Sequence, residues 1–176
     1  MTNKLLVPSG VFAIFILLAI SSWVSISADG ATTQQSISAN THGFAFTDNC
    51  CPDVSLNLNG NITTNTDGTM KLSQQNGNIA INSTNYKLQF TPSGNVTTET
   101  VEGDCSSGIT YQQNGTVSLT ANDGTVIKGP GEYSWGTVPS CSDYKDSFTN
   151  FSGKVQDLAG QTTEFYTGTD LLPYIQ

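Results

Sequence analysis

The four cysteines of this chain could bind a metal, perform redox chemistry or form disulfides, and their spacing restricts these roles. Cys50 and Cys51 are adjacent, whereas Cys105 and Cys141 stand alone far downstream. A zinc site usually needs paired cysteines with two to four residues between them, and a thioredoxin-like site needs C-x-x-C. Neither spacing is present, so we expect disulfides. Two adjacent cysteines bonded to each other would close a strained ring, and each should therefore bond one of the two downstream cysteines.

Residue combinations that perform catalysis are poor in this sequence. His42 is its only histidine, and no serine lies in a G-x-S-x-G motif. Glu99 and Glu102 are three residues apart, which on a strand places their carboxylates on opposite faces. We therefore expect neither enzyme activity nor a cofactor.

One short stretch has the spacing of metal-binding oxygens. Residues 65–69, with the sequence NTDGT, imitate the start of a calcium loop. An EF-hand continues to a bidentate glutamate at its twelfth position, and that position here is Asn76. The stretch is better explained as a hairpin turn, and we expect no metal site.

Five N-x-S/T sequons are candidate sites of glycosylation. Their asparagines are Asn61, Asn82, Asn95, Asn114 and Asn150. A chain this rich in asparagine, serine and threonine produces a similar number of matches by composition alone, so occupancy stays open.

An aromatic pair offers the clearest candidate for ligand contact. Tyr133 and Trp135 are two residues apart, and on a strand they share one face. Such a pair can form a platform on which a sugar ring stacks, or it can belong to the core. Both interpretations stay open.

Composition excludes several classes of partner. The chain has 176 residues, enough for one domain, with a formal net charge of -8, no arginine and six scattered lysines. This charge opposes the phosphate neutralisation on which nucleic-acid binding depends. It also provides no basic patch for anionic lipid, so membrane contact is expected only through a hydrophobic segment.

The N-terminus contains that segment. Residues 1–28 carry one charged side chain, an apolar run and then small polar residues, which predicts a helical signal peptide or a single-pass membrane anchor. Either role places the remainder outside the cell, secreted or anchored. Residues 29–41 have few large apolar groups and are predicted to be a flexible polar stalk, followed by one domain over residues 42–176.

Period-two alternation of apolar and polar residues dominates that domain and predicts short strands with one buried face. The predicted strands cover residues 54–59, 69–74, 78–82, 86–90, 109–112, 116–120, 124–129, 132–135, 153–157 and 162–167. Asp-Gly in residues 60–70 and 115–126 predicts tight type I′ hairpins. The expected fold is therefore all-β, an antiparallel sandwich or barrel.

These patterns indicate an exported cell-surface or secreted β domain with a structural or adhesive, non-catalytic role. Self-association by strand addition is one route, with the stalk and residues 43–47 as the donor strand. The alternative is an extracellular binding module for a glycan or another surface protein, with Tyr133 and Trp135 as the contacts.

Overall fold

Side chains alternate between inward and outward positions along the strands of this protein. The structure is a computed structural model, and it describes residues 32–47, 51–139, 141 and 147–169. These residues form β1 (Thr33–Phe46), β2 (Asp53–Thr64), β3 (Met70–Leu72), β4 (Gln75–Ile81), β5 (Thr84–Pro92), β6 (Thr97–Glu102), β7 (Ser107–Thr120), β8 (Val126–Thr137), β9 (Ser147–Gln156) and β10 (Thr162–Gly168).

The sheet closes on itself because β1 pairs with both β2 and β10. Around the ring the order is β1, β10, β9, β8, β7, β5, β4, β2 and back to β1, and every pairing is antiparallel. β3 continues the line of β4 along β2, and β6 continues the line of β5 along β7. The fold is an eight-stranded up-and-down barrel. The all-β prediction is confirmed, and the barrel is the correct one of the two expected architectures.

The first strand corrects the predicted domain boundary. Residues 33–41 were expected in a flexible stalk, but they form the first part of β1 and pair with residues 56–64 of β2. Their inward side chains, Ile37, Ala39 and Thr41, are buried. The domain therefore includes residue 33. The predicted N-terminal helix over residues 1–28 lies outside the described residues, and within the described part of the chain no helix has the length and apolarity to span a bilayer.

Side chains fill the interior of the barrel. Three phenyl rings form its centre: Phe151 lies 5.4 Å from Phe90 and 6.0 Å from Phe165 between ring centroids, and all three are fully buried. Aliphatic residues of the neighbouring strands surround them, including Leu56, Leu58, Ile79, Val117 and Leu119. Burial of this apolar surface is the main source of stability in the fold.

Two inward-facing glycines make room for the rings. A Cβ atom at Gly115 would lie 2.4 Å from the backbone oxygen of Thr91 and 2.7 Å from ring atoms of Phe90. A Cβ atom at Gly153 would lie 2.5 Å from the ring of Phe165. No real Cβ contact is that short. The aromatic rings therefore pack directly against strand backbone at these positions.

The Asp-Gly hairpins differ in turn type from the prediction. In residues 65–69, Gly68 N donates to Asn65 O at 3.0 Å and only the glycine has a positive φ, of 82°. Residues 121–125 repeat the arrangement, with Gly124 at 86°. Each loop contains a four-residue turn whose last residue is a left-handed glycine, so the type I′ prediction is wrong here. Asn82 and Ser83 both have positive φ and make the two-residue turn between β4 and β5.

The carboxylate of the 65–69 loop, that of Asp67, forms hydrogen bonds within the loop itself. Asp67 Oδ1 accepts hydrogen bonds from the Thr69 hydroxyl and backbone N–H at 2.6 and 2.9 Å. These bonds, led by that of the hydroxyl, lower the pKa of Asp67. The turn interpretation therefore accounts for this motif.

Replacing Gly115 by alanine should destabilise the barrel by about 1–3 kcal/mol, because the added methyl group overlaps the Phe90 ring. Urea denaturation measures this change. Thr116→Ala is the matched control, since Thr116 is exposed on the opposite face of the same strand, and its effect should stay below about 1 kcal/mol. Equal unfolding midpoints for the two variants would contradict the packing explanation.

Candidate binding surface

The two downstream cysteines bond each other. Cys105 follows β6, Cys141 follows β8, and their sulfur atoms form a disulfide that spans a separation of 36 residues. The expected pairing of each with Cys50 or Cys51 is therefore wrong, because the barrel brings the β6–β7 turn next to the end of β8. Cys51 is exposed before β2, and Cys50 lies outside the described residues. A disulfide is consistent with an oxidising compartment.

The predicted aromatic platform lies inside the barrel. Tyr133 and Trp135 share a face of β8, as expected, but they are only 2% and 4% exposed. Trp135 stacks on Tyr111 with a centroid distance of 5.6 Å and also contacts Tyr133 at 5.2 Å. A ligand platform needs an exposed ring face, so the core interpretation describes this pair and the exposed-platform hypothesis is wrong for it.

Tyr133 and Trp135 do border a cleft. It encloses about 350 Å³ where β1 separates from β10, and its other walls come from β1 and from the start of β9. The serine and threonine residues that line it are Ser38, Thr41, Ser147, Thr149 and Thr169.

The residues considered for catalysis stay apart. His42 is exposed on β1, and Glu99 and Glu102 are exposed on β6. No group of three or more His, Cys, Asp or Glu side chains that could hold a metal ion occurs within the described ranges.

The five sequon asparagines differ in access. Asn82, Asn95 and Asn114 are exposed, and Asn61 is half-buried on β2. Asn150 is only 9% exposed, and its Oδ1 atom lies 2.0 Å from where a Cβ of Gly168 would be. Asn150 is therefore the least accessible of the five in the folded barrel, and all five sites stay predictions.

An aromatic cluster stands on the outside of the barrel instead. Phe44 and Phe46 of β1 and Tyr166 of β10 point outward, with centroids 5.3 to 6.0 Å apart. Phe46 is 48% exposed, and the other two rings are half-buried. We call these three residues the aromatic cluster.

Charged side chains adjoin the aromatic cluster. Lys154 Nζ lies 3.6 Å from a carboxylate oxygen of Glu164, and the Tyr166 hydroxyl donates to the same carboxyl group. Glu132 lies one strand further along, opposite Ser152. We call Glu132, Lys154 and Glu164 the charged trio.

A shallow groove separates Tyr166 from Glu132. It encloses about 220 Å³, and the backbones of Gly131 and Gly153 form part of its lining. A Cβ at these two glycines would meet Val117 and Phe165 at 2.3 and 2.5 Å. β8 and β9 therefore approach the core closely here, which produces the depression on the outer face.

Sequence reasoning missed this surface for a definable reason. In THGFAF the large residues Phe44 and Phe46 alternate with Gly43 and Ala45, which favours burial of the phenylalanines. The barrel reverses this assignment because Gly43 packs against the backbone of Tyr166 and Ala45 is fully buried. Only the register between β1 and β10 reveals the cluster.

The fold and this surface define an up-and-down β-barrel protein with a disulfide between Cys105 and Cys141. Comparison of the chain with protein-family models, curated proteins and solved structures gives no match.

Removal of the disulfide should lower the free energy of unfolding by about 3–4 kcal/mol, because the bond limits the unfolded chain over the β7–β8 hairpin. Urea denaturation of the Cys105→Ser/Cys141→Ser double variant measures the change against the oxidised wild type. A difference below 1 kcal/mol would show that the hairpin closes this loop without help from the bond.

Stability should fall with pH above about 10. Burial raises the pKa of Tyr133 above its ordinary value of 10.0. Above pH 10 the unfolded state releases this proton while the folded state keeps it, so the stabilisation is complete below pH 10 and is lost at up to about 1.4 kcal/mol per pH unit above it. Tyr133→Phe should show a shallower decline in urea denaturation from pH 9 to 11, and equal slopes would contradict this assignment.

Proposed function

We propose that this protein is an exported, non-catalytic barrel domain with a structural or adhesive role, secreted or anchored through residues 1–28. The apolar N-terminal segment and the disulfide support an extracellular location. The barrel interior supports a non-catalytic role, because aliphatic and aromatic side chains fill it.

The observation that carries the adhesive role is the outer edge of the first half of β1. Residues 42–46 of β1 pair with β10. Within the described part of the chain, residues 33–41 pair only with β2. An edge of this length presents a row of backbone donors and acceptors to another strand. Native proteins that keep such an edge often use it for strand addition.

Alternation identifies the backbone groups at this edge. Ala45 N donates to Pro52 O, so odd-numbered residues of β1 bond β2. The even-numbered residues therefore direct their N–H and C=O groups away from β2, and in the first half of the strand these are Gln34, Ser36, Ser38 and Asn40. Their side chains are polar and exposed, so an approaching strand would meet no apolar obstruction.

A second copy of the chain fits this edge. Two β1 strands related by a two-fold axis at Ile37 would place Ser36 opposite Ser38 and Gln34 opposite Asn40. Each of these pairs consists of even-numbered residues, so the edge donors of one copy face the edge acceptors of the other. Such a self-complementary contact is typical of homodimers.

The donor role expected for residues 43–47 changes in this proposal. Residues 43 and 44 pair with β10 on one side and β2 on the other, and residues 45–46 also pair with β10. Releasing them would open the barrel. The first half of β1 therefore takes part in strand addition while it remains in its own sheet.

Ser38→Pro should weaken self-association at least tenfold, because proline removes one edge N–H and blocks the approach of a strand. The bonds to β2 remain, so the free energy of unfolding of the variant, measured by urea denaturation, should stay within about 1 kcal/mol of the wild-type value. Sedimentation velocity of the native protein over a concentration series measures the dimerisation constant.

Ser38→Ala is the matched control, because it removes the side-chain hydroxyl and keeps the N–H. It should dimerise like the wild type. A wild-type protein that stays monomeric at its highest soluble concentration, or a proline variant that dimerises equally well, would reject strand addition at this edge.

A further inference from the structure

We propose that the aromatic cluster, the charged trio and the groove between them form a binding site for a neutral carbohydrate chain. This site goes beyond the adhesive role at the β1 edge, and it uses residues that the edge does not.

Pairing across four strands places the components in two parallel rows on one outer face. The first row runs Phe44, Tyr166, Ser152 and Glu132. The second row runs Phe46, Glu164 and Lys154. Strands in a sheet are about 4.8 Å apart, so the site measures about 15 Å across, a length suited to a chain of a few sugar units.

The exposed rings need an explanation. Phe46 is 48% exposed at the end of β1, where it pairs with Glu164 of β10, and it contacts two further aromatic rings. A contiguous apolar group on an otherwise polar surface marks an interaction site more often than a single exposed residue does. Pyranose rings have apolar C–H faces that stack on aromatic rings of this kind.

The groups beside the rings can bind hydroxyls. Glu132 and Glu164 offer carboxylate acceptors, Lys154 offers an ammonium donor, and Ser152 offers a hydroxyl. A groove lined by a few polar groups next to apolar surface is typical of sites that orient a small ligand. At about 220 Å³, the groove accommodates one sugar ring.

Charge distinguishes the class of carbohydrate. The charged trio contains two carboxylates and one ammonium group, and the whole chain has a net charge of -8. An acidic polysaccharide would be repelled at long range, whereas a neutral one would not. The polar groups also favour a carbohydrate over a protein partner, which would have to desolvate the charged trio against its own apolar surface.

Native affinity electrophoresis of the full chain tests the proposal. The gels contain hydroxyethylcellulose, mannan or starch as neutral probes and polygalacturonate as an acidic probe. At least one neutral polysaccharide should retard the wild type. Phe46→Ala should weaken that retardation by about two- to tenfold, the effect of losing one aromatic stacking contact. The double variant Phe46→Ala/Glu132→Gln should be retarded less than Phe46→Ala alone.

Val126→Ala is the matched control, because Val126 is 43% exposed on β8 outside the site, and it should bind like the wild type. No retardation in any neutral gel would overturn the proposal and leave the cluster as a contact for protein. Retardation only by polygalacturonate, or retardation equal in Phe46→Ala and wild type, would also overturn it. Ser38→Pro should be retarded normally, so failure of strand addition and failure of carbohydrate binding are separate results.

Discussion

Close packing of phenyl rings against bare backbone is the constraint on which this barrel depends. Phe90 occupies the space that a side chain at position 115 would need, and Phe165 does the same at position 153. An eight-stranded barrel has an interior just wide enough for side chains to fill, and the phenyl rings fit here because two strands contribute no side chain at the points of contact. The same requirement draws β8 and β9 inward at Gly153, so the depression on the outer face and the filled interior have one cause.

Closure is complete at one end of the barrel and interrupted at the other. The chain leaves the sheet briefly between β3 and β4 and again between β5 and β6. At each break, a buried glutamine side chain forms a hydrogen bond to a backbone oxygen. Gln75 Nε2 donates to Ser73 O at 2.8 Å, and Gln113 Nε2 donates to Ser93 O at 2.7 Å. The described residues supply no partner for Gln113 Oε1, which is a cost of filling the second break. Both the β1 edge and the disulfide lie at this interrupted end.

The sequence predicts the strands in which large apolar residues alternate with polar ones. It does not predict strands whose two faces carry similar residues. β2, with Val54, Leu56 and Leu58 inward, is correct because its alternation is strong. β6 has six exposed residues and therefore no alternation to detect. Apart from Ile37, the inward residues of β1 are small or polar and complete the packing of larger neighbours, so its sequence resembles that of a polar stalk. The spacing of Tyr133 and Trp135 fixed their common face, but which face enters the core depends on long-range register.

The two ends of the described sequence meet where β1 pairs with β10. The buried Thr41 hydroxyl donates to that of Thr167 at 2.9 Å, across 126 residues, whereas the other strand neighbours in the ring are consecutive in the chain or separated by a single short strand. Loop-closure entropy disfavours the early formation of so distant a contact. We expect neighbouring strands to pair one after another along the chain, and β1 to pair with β10 only after the strands between them have formed. The barrel would then gain its cooperativity in a single late step, when β10 reaches β1.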